Sequence, residues 1–197
     1  MRSRFFAVLP VLVLATVPLA AQSADTTRQS SAAQARIDAA MKAAARANIP
    51  ASLLESKVSE GEAKGVAATR IAAAVEARLN TLLRASTVMD SAGIETRTAA
   101  ELLIAGDALQ SGVQDSAVVQ VFRNATAGRR VVAMAVLADL VRLGATSDVA
   151  LDRVNATLSS SSALASLQAE VAGQLRLGGL TSTLDAAGGL SGTLKIP

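Results

Sequence analysis

The stretch Glu60-Gly61-Glu62-Ala63-Lys64-Gly65-Val66, with Arg70 four residues on, gathers carboxylates, two glycines and two cations in little space. Those residue types could form a phosphate cradle, in which backbone N–H groups of a glycine-rich loop and a following lysine hold an anion at a helix start. The spacing excludes it. A P-loop requires G-x-x-x-x-G-K-[ST], whereas Lys64 precedes Gly65 and Val66 follows it, and no G-x-G occurs anywhere in the chain. Glu60 and Glu62 could in principle act as a carboxylate pair on a glycoside, but residues two apart on a helix face different ways and no aromatic side chain stands near to hold a sugar. Asp90-Ser91-Ala92-Gly93-Ile94-Glu95 lacks the alternating acids of a calcium loop and reads as a helix connection.

Other chemistry is excluded by composition. The chain has no histidine and no cysteine, which removes the Ser-His-Asp triad, the cysteine nucleophile and the usual zinc and haem ligands. A serine–lysine pair is conceivable, yet no S-x-x-K precedes Lys42, Lys57, Lys64 or Lys195. Tryptophan and tyrosine are also absent, and Phe122 is the sole aromatic residue after position 6, so stacking platforms for sugars or single-stranded nucleic acid are missing. The expectation is a non-enzymatic protein with no catalytic residues, no cofactor and no metal site.

The chain opens with Met1-Arg2-Ser3-Arg4, an apolar stretch from Phe5 to Ala21 interrupted by Pro10 and Pro18, and then a polar run. That layout predicts a secretory signal peptide over residues 1–21, cleaved near Ala21 to leave no stable membrane anchor and a periplasmic or secreted product. Arg2 and Arg4 would leave with it while all 16 acidic residues stay, so the mature net charge is +1. Such a balance, with Arg129-Arg130 the only adjacent basic pair after the signal, argues against nucleic acid as a partner, even though Gly65 to Leu79 has the outline of a helix-turn-helix. Without disulfides, stability must come from a hydrophobic core.

The remaining chain reads as helix throughout. Residues 22–31 are polar and aperiodic and predict a flexible N-terminus; residues 32–176 predict an all-helical domain; residues 177–197, with Gly178-Gly179 and Gly188-Gly189, predict a tail without regular structure. Within the domain, apolar residues recur at helical spacing, most clearly at Ile71, Val75, Leu79, Leu82 and Leu83, with Val149, Val154 and Leu158 on a later stripe. Arg130 to Leu143 is apolar nearly all round and predicts the buried centre. Ser52-x-x-Glu55 and Thr98-x-x-Glu101 have the spacing of capping boxes.

Between these stripes stands a repeated joint: Asn48-Ile49, Gly65-Val66, Gly93-Ile94, Gly112-Val113 and Gly144-Ala145. Asn or Gly can adopt the left-handed conformation that closes a helix, and the apolar residue after it can fold back on the last turn. Gly65, Gly93, Gly112 and Gly144 are therefore expected as structural helix joints. Joints two apart differ by 45, 47 and 51 residues, which suggests a unit of about 47 residues used twice. The expected fold is all-α, a compact bundle or short solenoid of seven to eight short helices.

Two functions fit: a protein-interaction module of the bacterial cell envelope, or a carrier that shields an apolar, lipid-like ligand between its helices. The first is favoured, with protein as partner, because short alanine-rich helices form grooves that accept a partner helix. Arg70, Arg78 and Arg84, on the most amphipathic segment, are the candidate partner-binding residues.

Overall fold

The structure, a computed structural model, describes residues 19–94 and 96–188, with side chains described for 28–94 and 96–177. Among these residues it is all-α, with eight helices and no strand: α1 (Leu19–Arg46), α2 (Ser52–Ala63), α3 (Ala68–Ser91), α4 (Ala99–Gln110), α5 (Asp115–Asn124), α6 (Ala127–Arg142), α7 (Ser147–Asn155) and α8 (Ser161–Gly188). A compact helical bundle fits this architecture. Residues 1–18, most of the segment read as a signal peptide, lie outside the described residues.

The termini differ from expectation. α1 takes in residues 22–31, because no glycine or proline lies between Leu19 and Arg46 and alanine-rich sequence lets a helix anchored further on propagate backwards. α8 continues through Gly178-Gly179 to Gly188, since two glycines cost a helix only about 2 kcal/mol together and leucines and alanines surround them. Residues 189–197 of the predicted tail lie outside the described residues.

Five of the seven turns between helices share one geometry; the α5–α6 turn at Ala125, which is extended, does not. Asn48, Gly65, Gly93, Gly112 and Gly144 have φ of 53°, 63°, 79°, 95° and 97°. After each, the next residue's N–H bonds back across the helix end, as in Ile49 to Ala44 at 2.9 Å, Ile94 to Met89 at 3.1 Å and Ala145 to Leu140 at 3.1 Å. This is the Schellman arrangement, which satisfies carbonyls that the end of a helix leaves open. Ile49, Ile94 and Val113 bury their side chains in doing so, whereas Val66 stays 36% exposed.

Helix starts are less uniform. Thr98 and Glu101 form a complete capping box at α4, and the Thr146 hydroxyl accepts from the Val149 N–H at α7. Ser52-x-x-Glu55 forms no box. The chain already turns at Pro50 and Ala51, whose carbonyls accept from Leu53 and Leu54, so Ser52 is inside the helix and cannot cap it.

The core is continuous, from Ala33 and Ile37 of α1 to Val171 of α8. α3 packs against α1, α2, α4 and α5, and α6 packs against α4, α5, α7 and α8. These two are the hubs. That explains why α6 is apolar on most sides, with Met134, Val136, Leu137 and Ala138 fully covered. In α7 the buried stripe is Ser147, Ala150, Leu151 and Val154. Val149 is instead 61% exposed while Val154 is buried as expected, because residues five apart on a helix point about 140° away from each other and only one of the two can face the core.

The α4–α5 hairpin lies beside the α6–α7 hairpin with a steady offset. Arg130 reaches Glu101 over 29 residues, the Gln114 N–H reaches the Ser147 hydroxyl over 33, and Asn124 reaches Asn155 over 31. The spacing of about 47 residues belongs to alternate joints, a different interval from this one between neighbouring hairpins. The tripeptide Asn-Ala-Thr, at 124–126 and again at 155–157, carries the shorter offset in the sequence.

Candidate functional site

α2 and α4 lie on the same long helix, α3, and glycine brings each of them close. A Cβ added to Gly61 would stand 2.7 Å from Ile71 Cγ1, and one added to Gly106 would stand 3.0 Å from Thr81 Cγ2. Neither glycine has an unusual backbone; each is required for space. Between the two helices runs a groove of about 520 Å³, open to solvent, with α3 as its floor.

The floor is Ala74, Ala77 and Arg78, with Leu53 of α2 and Leu103 of α4 on the walls. Small floor residues allow another backbone to approach α3 closely. A second, smaller groove of about 210 Å³ adjoins the first, sharing Lys57, Glu60 and Ala74 and adding Lys64 and Arg70. The stretch Glu60 to Ile71, which the sequence presents as a possible phosphate cradle, forms this second groove and the α2–α3 joint beside it.

Charge along the grooves is ordered. Glu60 accepts from Lys57 at 2.7 Å and also from Lys64, one turn away on the other side. Those two hydrogen bonds and the two positive charges lower the Glu60 pKa from 4.5 to about 2. On the other wall Arg78, which is 16% exposed, donates to Asp107 at 2.8 Å. Away from the grooves Arg36 pairs with Glu76, joining α1 to α3; hydrogen bonding to Arg36 holds the Glu76 carboxyl below its ordinary value.

The structure separates the three arginines singled out in the sequence. Arg78 lines the larger groove and Arg70 the smaller one. Arg84 is outside both and donates to Asp115 at 2.6 Å, tying α3 to α5. Arg78 and Arg84 thus meet carboxylates of their own chain, while Arg70 is exposed and makes no ion pair among the described residues. Gly65, Gly93, Gly112 and Gly144 all stand between successive helices at positive φ. A Cβ at Gly65, Gly93 or Gly144 would meet nothing within 4 Å, so only the backbone conformation calls for glycine there.

Sequence reasoning missed Gly61 and Gly106 as packing residues and missed Lys57, Glu60 and Asp107 as groove residues. A glycine inside an otherwise helical stripe was the available signal for the first pair. The charges carried no signal, because surface charge at helical spacing looks the same whether or not a groove lies beside it.

One further ionic cluster is structural. Glu101, 4% exposed, accepts from the Thr98 N–H at 2.9 Å and from the Thr98 hydroxyl, and Arg130 approaches it at 3.4 Å while standing 5.9 Å from the centre of the Phe122 ring. It joins the start of α4 to α5 and α6. Among the described residues no three acidic side chains gather as a metal site, and no helix is long and apolar enough to cross a membrane. Set against known proteins, the chain matches no family model, no curated protein and no solved structure.

Proposed function

We propose that this chain is an exported, enzymatically inactive helical module of the bacterial cell envelope, periplasmic or secreted, that binds another protein. The observation that carries this reading is the solvent-open groove on α3 between α2 and α4, whose floor of small residues suits a partner's backbone. Fully buried residues such as Val75, Leu82 and Leu137 give the groove a packed support, as a binding surface requires. The stacking of α4–α5 beside α6–α7 further suggests a short solenoid whose unit is the 29 to 33 residue offset between those hairpins.

An apolar-ligand carrier needs an enclosed apolar cavity, whereas the groove described here is open and bears Lys57, Glu60, Arg78 and Asp107. Crosslinking in the secreting cell, followed by affinity purification and mass spectrometry, tests the proposal. A recurrent protein partner in the envelope is the expected result, with a mature N-terminus near Gln22. Purified protein that carries lipid and no protein partner would favour the carrier and sink this reading.

A further inference from the structure

We infer that the groove on α3 receives one helix of the partner protein, and that this helix carries acidic residues which meet Arg70, Lys64 and Lys57. The inference rests on the protein-binding reading and specifies the chemistry of the partner.

Along α2 the two adjoining grooves run for the length of a short helix. From Leu53 to the C-cap Lys64 the α2 wall spans 12 residues, about 16 Å of helix, or three turns. The walls of the larger groove are two helices that both rest on α3, and two of its three floor residues are alanine, the side chain that lets a further helix approach most closely. Leu53 and Leu103, both half-buried, offer apolar contact on either side. An amphipathic helix of two to three turns could lay its apolar face there, as in other helix-in-groove complexes.

Charge selects among such helices. The two adjoining grooves present four cations, Lys57, Lys64, Arg70 and Arg78, against two carboxylates, Glu60 and Asp107. Asp107 is taken by Arg78, and Glu60 is shared by both lysines, so two positive charges remain unmatched at one end, one of them the free Arg70. Glu60 stays ionised down to a pH of about 2, so this surplus is constant across ordinary conditions. A partner with carboxylates at that end gains attraction, whereas a basic helix meets like charge, which is costly at an interface. Nucleic acid is the weaker match, because two unmatched cations beside two carboxylates are far from a phosphate-tracking stripe.

The test is site-specific photocrosslinking of the full chain in the secreting cell, with p-benzoylphenylalanine placed at Ala77 on the floor, at Ser56 on the α2 wall, and at Val149 on the exposed face of α7. The expected result is a product at Ala77 and Ser56 whose crosslinked peptide, mapped by mass spectrometry, has apolar residues at helical spacing and net negative charge. Arg70→Glu should lower that yield at least fivefold, while Arg84→Glu, outside both grooves, should leave it unchanged. Capture of a protein at Val149 with silence at both groove positions would leave the protein-binding reading standing and overturn this inference. Silence at all three positions would overturn both. A net-basic captured segment, a nucleic-acid adduct in the groove, or a yield indifferent to Arg70→Glu would each overturn the inference alone, whereas a lipid adduct there with no protein captured would overturn both.

Discussion

Arg78 of α3 donates to Asp107 of α4 at 2.8 Å from a position where the guanidinium is mostly covered and the carboxylate is 38% exposed. The pair closes one side of the groove and neutralises the one arginine in its floor. It thereby leaves the excess charge at the other end, by Arg70.

Removal of this carboxylate tests that arrangement. Asp107→Ala should lower stability by about 1 kcal/mol, more than a fully exposed pair would, because Arg78 loses its partner while largely covered. Asp107→Asn, which keeps an acceptor, should cost less. Thermal unfolding checks both, and an Asp107→Ala midpoint equal to wild type would show that the contact contributes nothing.

The left-handed joints give a second prediction. Gly144→Val and Gly93→Val should each destabilise by about 1–3 kcal/mol, since valine resists positive φ even where space is open around the Cβ. Gly144→Asn should cost clearly less, because asparagine tolerates this conformation, as Asn48 does here at φ 53°. Lys64→Ala should cost least of the four, being a surface change. Equal melting curves for Gly144→Val and wild type would refute the role given to that glycine.

Two glycines inside helices should respond oppositely to alanine. At Gly173 of α8 nothing lies within 4 Å of an added Cβ, so Gly173→Ala should stabilise by about 0.5–1 kcal/mol through helix propensity alone. At Gly61 the same gain is outweighed by the clash with Ile71, and Gly61→Ala should destabilise by about 1 kcal/mol net. Chemical denaturation of both variants measures the difference; a stabilised Gly61→Ala would mean that α2 does not rest so tightly on α3.

Glu60 supplies a pH prediction. Its folded pKa, about 2, lies below the ordinary value of 4.5, so any stability from its lysine pairs is fully present above that ordinary value and is lost as pH falls through about 2. Because the cluster is exposed, the visible consequence is the titration itself. Carboxyl NMR should show Glu60 titrating near 2, and Lys57→Ala with Lys64→Ala should return it towards 4.5. A wild-type midpoint already near 4.5 would remove the lysine cluster from the groove's description.

Local sequence determined the helical class and the positions of the turns. Apolar spacing identifies a helix wherever one face must be buried, and Asn48, Gly65, Gly93, Gly112 and Gly144 mark left-handed closures because that conformation depends on the residue and its immediate neighbours. Composition alone also removed the histidine, cysteine and aromatic chemistry, independent of any fold. Tertiary structure decided what no local pattern contains. Whether Val149 or Leu151 faced inward depended on which face of α7 meets α5 and α6, and whether a mid-helix glycine such as Gly61 mattered depended on Ile71 arriving across from it. Arg70, Arg78 and Arg84 look equivalent on one helix. Asp107 and Asp115, brought from α4 and α5, pair two of them, so that of the three arginines only Arg70 is left without a carboxylate among the described residues, beside the groove.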